Sequence, residues 1–197
     1  MKKIVFLILA SIFLFATLKA QDDVSSAPKL FLKGDKVLNL GIGIGSTLYS
    51  GSYYSTKIPP ISASLEVGAL DNLFEVDGLN LGLGGYLGFS SSQYKYSYYG
   101  YSYGWNYTYI IFGARGVLHY ELTDKFDTYT GLMLGANIIN TSEFGDFGDA
   151  EIGSASSSGL AYSYFIGARY YFSDSFGVMA ELGYGISYLN LGVCLKF

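Results

Sequence analysis

Between residues 37 and 197, apolar residues alternate with small or polar ones, a repeat of two that belongs to strands and not to helices. Leu38, Leu40, Ile42 and Ile44 share one face, and Asn39, Gly41, Gly43 and Gly45 share the other. The same alternation predicts strands over 61–69, 79–89, 110–121, 129–138, 162–172, 178–186 and 189–197. In the seventh strand Val178, Ala180, Leu182, Tyr184 and Ile186 fall on the apolar face.

The connections say how these strands are joined. Thr123 to Phe126 and Ser173 to Ser175 read as tight polar turns. Ser90 to Asn106 and Asn140 to Gly159 read as long polar loops, Ser50 to Pro60 as a medium one, and Asp71 to Gly78 as longer than a minimal turn. Short turns at one end and longer loops at the other predict an all-β fold, an eight-stranded antiparallel up-and-down transmembrane β-barrel of the bacterial outer membrane. The apolar face then meets lipid. Glu66, Arg115, Glu121, Arg169, Glu181 and Lys196 all fall on the opposite, lumen-facing side. A one-residue slip would turn them into lipid, at roughly 2–4 kcal/mol for an Arg or Lys at the midplane. Tyr49, Tyr53, Tyr54, Trp105 and Tyr107 at loop-side ends, with Tyr120, Phe126, Phe172, Phe176 and Phe197 at turn-side ends, are expected to form two interfacial girdles.

The beginning of the chain follows a different plan. Lys2 and Lys3 precede an apolar run from Ile4 to Leu18 that ends near Ala20, and Gln21, Asp22 and Asp23 follow. That is the layout of a secretory signal peptide over 1–20, too short to be a spanning helix. Residues 21–36 read as a polar N-terminal lead-in, and 37–197 as the barrel. Without Lys2, Lys3 and Lys19, nine basic side chains remain against 16 acidic ones, so no basic footprint for nucleic acid exists. The 26 Gly disfavour a helical bundle, and one Cys excludes an internal disulfide framework or a multi-Cys zinc site. No cofactor or metal is expected.

The last strand, Leu189, Leu191, Val193, Leu195 and Phe197, alternates and ends in Phe. With the signal peptide and eight alternating segments, the chain resembles the small bacterial outer-membrane β-barrel family of OmpA/OmpX type, which is porin-like and Gram-negative. The resemblance covers 37–197. It implies that Leu195 and Phe197 belong to an assembly signal read by the barrel-insertion machinery, with outer-membrane lipids as further partners and Sec-type export as the route.

Within the barrel, Glu66, Arg115, Arg169 and Glu181 are expected to form an ion-pair network that plugs a narrow lumen, because a buried charge needs a partner. An ion path is the functional alternative for the same residues. His119, the single His, lies inward near the turn side, far from where a lipid-modifying enzyme would need it, and has no evident Ser partner. Glu143 to Glu151 reads as a solvated acidic loop lacking the ordered spacing of a calcium loop. Tyr96, Tyr98, Tyr99, Tyr101, Tyr103 and Trp105 are the candidate recognition surface, since Tyr offers rigid amphipathic contact area. The sequence therefore predicts a barrel without catalytic activity, with a structural or surface-recognition role toward an unidentified extracellular or envelope ligand. A small pore and a lipid-modifying barrel enzyme are the alternatives.

Overall fold

Hydrocarbon offers no partner to a backbone N–H or C=O, so strands that cross a membrane must pair along both edges. The computed structural model, which describes residues 30–98, 101–145 and 155–197, meets that demand by closing on itself. Strands β1 (Lys36–Ser46), β2 (Tyr54–Leu70), β3 (Leu79–Tyr98), β4 (Tyr101–Thr123), β5 (Phe126–Phe144), β6 (Ala155–Ser173), β7 (Phe176–Tyr184) and β8 (Ser187–Lys196) form one ring in chain order. Antiparallel β1 and β8 close it, with Leu38 opposite Leu195 and Leu40 opposite Val193. The predicted signal peptide over 1–20 lies outside the described residues.

The strands run well past the apolar segments. Ser90 to Asn106, expected as a loop, is instead mostly paired strand: β3 and β4 keep register from Leu79–Tyr120 to Tyr98–Tyr101. Much of the Asn140 to Gly159 connection is likewise strand, because β5 continues to Phe144 and β6 begins at Ala155. The medium loop shortens too, since β2 starts at Tyr54. The cause is the same throughout. Above the membrane neither face of a strand meets lipid, so backbone pairing continues after the apolar alternation stops. Pro59 and Pro60 have no N–H to give the ladder, and β2 shifts register on β3 between Thr56 and Ile58 and again between Ile58 and Ile61.

Ile186 corrects the predicted seventh strand. β7 ends at Tyr184, and Gly185 turns the chain with φ of 114°, a conformation open to glycine. Ile186 thereby leaves the lipid face and is buried among Ile111, Met133 and Ala161 inside the barrel. This loop-side connection is a tight turn.

The outer surface locates the membrane. On β4 the outward positions run from Ile110 to Tyr120, matching the ~9–11 residues of a tilted transmembrane strand. Phe89 and Ile138 sit opposite Ile110 on β3 and β5 and mark the same upper edge. Leu132, Leu134 and Leu160 expose 64%, 62% and 73% of their surface, which water would penalise and lipid does not. The band's two outward threonines on β5 satisfy their hydroxyls internally: Thr128 donates to the Tyr120 carbonyl (2.6 Å) and Thr130 to that of Phe165 (3.1 Å). Tyr120, Phe172, Phe176 and Phe197 are exposed at the turn-side edge, as a girdle requires.

Candidate functional site

Alternation puts one face of every strand into a lumen that eight strands leave just wide enough for side chains to fill, so polar groups there must satisfy one another. Four charged or titratable residues from four strands close a ring near the turn side. Arg169 on β6 donates through Nη2 to Glu66 Oε2 on β2 (2.7 Å), through Nη1 to Asp127 Oδ2 on β5 (3.2 Å) and through Nε to Asn39 Oδ1 on β1 (3.1 Å). His119 on β4 completes the ring, with Nδ1 3.0 Å from both Asp127 oxygens and Nε2 against Glu66 Oε1. All four side chains are buried. Taken as an imidazolium, His119 donates to both carboxylates, and two cations then face two anions. The Arg169 guanidinium also lies 4.6 Å from the centre of the Tyr129 ring.

A second layer lies toward the loop side. Arg115 Nη2 on β4 donates to Glu181 Oε1 on β7 at 2.6 Å, and the Tyr129 hydroxyl donates to the same oxygen at 3.1 Å. The Arg115 guanidinium packs 3.9 Å from the Phe165 ring centre. Ser64 joins the layers, accepting from Arg115 Nη1 and from Asn39 Nδ2, both at 3.1 Å. Beside this layer a cavity of about 30 Å³, bordered by Tyr86, Arg115, Glu181 and Asn190, has room for water but not for a ligand.

The structure thus brings all four predicted lumen residues inside and assigns their partners: Arg115 with Glu181, and Arg169 with Glu66. Sequence reading missed Asp127. It falls between the predicted turn ending at Phe126 and the predicted strand starting at residue 129, although its inward parity with Tyr129 was available as a signal. His119 was expected only to line the lumen, and the structure makes it a member of the ring. Both its nitrogens are held by carboxylates, so neither is free to activate a Ser. Among the described residues no His, Cys, Asp and Glu group could hold a metal ion.

Above the membrane the lumen-facing parity carries tyrosines. Tyr94 on β3 sits opposite Tyr54 on β2 and Trp105 on β4, and Tyr96 sits opposite Tyr103. Their rings form a continuous array: Tyr54–Tyr94 at 5.1 Å, Tyr94–Trp105 at 5.9 Å, Tyr54–Tyr107 at 6.0 Å and Tyr96–Tyr103 at 5.5 Å. Tyr49, just before β2, stacks on Tyr54 and Tyr109, Tyr53 lies tilted against both Tyr94 (5.7 Å) and Tyr96 (6.0 Å) and so joins the two parts of the array, and Tyr109 forms its buried floor. Such separations are those of attractive aromatic pairs. The opposite face is polar: Lys57 Nζ and Gln93 Nε2 both donate to Asn106 Oδ1 at 3.0 Å.

This placement corrects the expected loop-side girdle. Tyr54, Trp105 and Tyr107 share the lumen-facing side above the band and do not face lipid. Of the predicted recognition residues, Tyr96, Tyr103 and Trp105 stand in the array, and Tyr98 and Tyr101 are paired at the hairpin's end. Tyr99 and most of the acidic segment, 146–151, lie outside the described residues. Leu195 is outward on β8, and Phe197 exchanges backbone hydrogen bonds with Lys36.

No protein-family model matches the chain, and no curated protein matches it. Among solved structures it is similar to Ail, the attachment invasion locus protein of Yersinia pestis, in complex with the heparin analogue sucrose octasulfate: 15% identity, 84% of this chain and 100% of that one, TM-score 0.48. It is also similar to the N-terminal β-barrel domain of Pseudomonas aeruginosa OprF, at 13% identity over 84% and 98% of the two chains with TM-score 0.45. A de novo designed transmembrane β-barrel gives 15% identity over 84% and 97%, with TM-score 0.44. At such values the assignment rests on strand closure and the lipid-facing surface of the chain itself, which make it an eight-stranded antiparallel transmembrane β-barrel.

Proposed function

We propose that this protein is a bacterial outer-membrane barrel whose lumen is closed to ions and whose loop-side projection recognises a ligand outside the cell. The observation that carries the reading is the tyrosine array. A projection serving only to continue the strands would need no continuous aromatic face, whereas Tyr and Trp held by mutual packing lose little entropy when a partner docks. The lumen supports the companion role. Two stacked charge layers, with Tyr129, Phe165 and Met133 packed among them, fill the space an ion would cross. Insertion in the outer membrane, export through a Sec-type signal and assembly through the last strand belong to the same reading.

Tyr94, Tyr96 and Tyr103 replaced together by Ser test it. Cells displaying this variant are expected to lose binding to glycan arrays, matrix proteins or purified envelope components on which the parent scores. Replacing Ser97, Ser102 and Asn106 of the opposite face by Ala is expected to leave binding intact. Equal binding by both variants, each assembled as a heat-modifiable barrel, sinks the recognition role. Planar-bilayer recordings of the parent are expected to lack a steady ohmic channel, and a large stable one would contradict the closed lumen.

A further inference from the structure

The turn-side mouth holds an ordered piece of the chain that belongs to no strand. Phe31 is fully buried there, stacked on His119 with ring centres 4.2 Å apart and packed against Val37, Tyr171 and Cys194. Its backbone is gripped as a ligand would be. The Phe31 N–H donates to Glu121 Oε1 at 2.6 Å, and Asn80 Nδ2 donates to the Phe31 carbonyl at 2.7 Å. Lys196 Nζ donates to the Leu30 carbonyl and pairs with Asp35 Oδ2, both at 2.8 Å, and the Lys33 N–H reaches Asp71 Oδ1 at 2.6 Å.

The wall has made room for this segment. A Cβ on Gly68 would overlap the Leu32 carbonyl oxygen, while Gly68 itself exchanges backbone hydrogen bonds with Gly34 and Asp35. Gly34 supplies the left-handed bend, with φ of 93°, that turns the segment into β1. An aromatic slot, a two-sided backbone clamp and a glycine floor together exceed what an incidental tail requires.

We propose that the turn-side mouth is a peptide-binding site for a short segment that carries a Phe and then turns back on itself, filled in cis by Leu30–Asp35, whose Asp35 N–H donates to the Leu32 carbonyl at 3.0 Å, and that its occupancy seals the buried charge ring from the aqueous phase below. The ligand class follows from the contacts. One aromatic side chain enters the slot, its own N–H and C=O are read by Glu121 and Asn80, and a carboxylate four residues later meets Lys196. Withdrawal of the segment uncovers His119 and Cys194, both of which Phe31 covers.

Cys194 is the single cysteine of the chain and is fully buried beneath Phe31, so its alkylation reports occupancy. The full mature chain is folded in detergent micelles and treated with a small water-soluble maleimide. Parent protein is expected to react slowly. Phe31→Ala is expected to react roughly tenfold faster or more while remaining a heat-modifiable barrel, since local opening sets the rate. Phe31→Tyr should return most of the protection. Adding the hexapeptide of residues 30–35 in excess should slow the Ala variant, and the same peptide with Ala for Phe should not. Should Phe31→Ala fail to fold, Gly68→Ala displaces the segment through Leu32 without touching the slot and carries the same expectation. Equal rates in the parent and in a folded variant overturn the seal, and a peptide without effect overturns the binding site.

Discussion

Arg115 offers the cleanest perturbation of the lumen, because its charge is matched by one carboxylate. Arg115→Leu removes the 2.6 Å pair to Glu181 and the guanidinium stacked on Phe165. Glu181 then keeps only the Tyr129 hydroxyl and a long contact of 3.5 Å from Asn190, two neutral donors for a buried anion. Breaking a buried pair from one side costs about 3–5 kcal/mol. With a urea slope of about 1–3 kcal/mol per M, the unfolding midpoint should fall by about 1–5 M. Removing both charges, as Arg115→Leu with Glu181→Leu, takes the stranded anion away and should recover most of that loss. The assay is reversible urea unfolding of refolded barrel in lipid vesicles, followed by Trp105 fluorescence and by gel mobility, across all four corners of the double-mutant cycle. A single mutant within about 1 kcal/mol of the parent, or a double mutant as unstable as the sum of the singles, refutes the pairing argument.

The charge ring should be less forgiving: Arg169→Leu strands two carboxylates with only His119 between them, and is expected to lower outer-membrane yield more than Arg115→Leu on heat-modifiability gels. The membrane edge predicts a contrast along one strand face. Leu134→Arg should cost about 2–4 kcal/mol in vesicle unfolding, whereas Asn140→Arg, above the band, should be close to neutral; equal costs would misplace the edge. Asp127→Asn keeps the shape and removes one anion, so it should destabilise less than Arg169→Leu in the same assay. A larger effect would mean that the ring depends on Asp127, which holds both His119 and Arg169, more than on Arg169 itself.

What could be read in advance depended on whether two faces of a strand lay in different surroundings. Inside the band lipid and lumen demand opposite chemistry, so Leu132 and Leu134 against Gly131 and Met133 announce a strand and which of its faces is which. The inward charges followed from parity alone. Their partners did not, because pairing across a lumen depends on strand stagger, which brings Arg169 to Glu66 and Asp127 and Arg115 to Glu181. Asp127 was hidden because the apolar alternation becomes regular only from residue 129, after β5 has in fact begun pairing at Phe126. Phe31 was hidden for a different reason: one buried aromatic in an irregular segment has no period by which to be recognised.

The same parity that failed as a strand signal above the band explains the projection's chemistry. Strand pairing is continuous from the charge layers upward, so the face that carries Arg115 and Ile111 carries Tyr109, Tyr107 and Trp105 further along β4. Within the membrane this face is enclosed by the far wall and must be filled and neutral. Beyond the band β1 ends at Ser46 and β7 at Tyr184, while β2 to β5 continue, so the ring opens and the inner face becomes an outer one. Small residues give way to tyrosines where enclosure ends. The enclosed part has room for few large side chains, and Tyr129 and Phe165 already take up that space at one level. One alternation thus produces both the closed lumen and the aromatic surface above it, and only the height at which neighbouring strands stop divides the two.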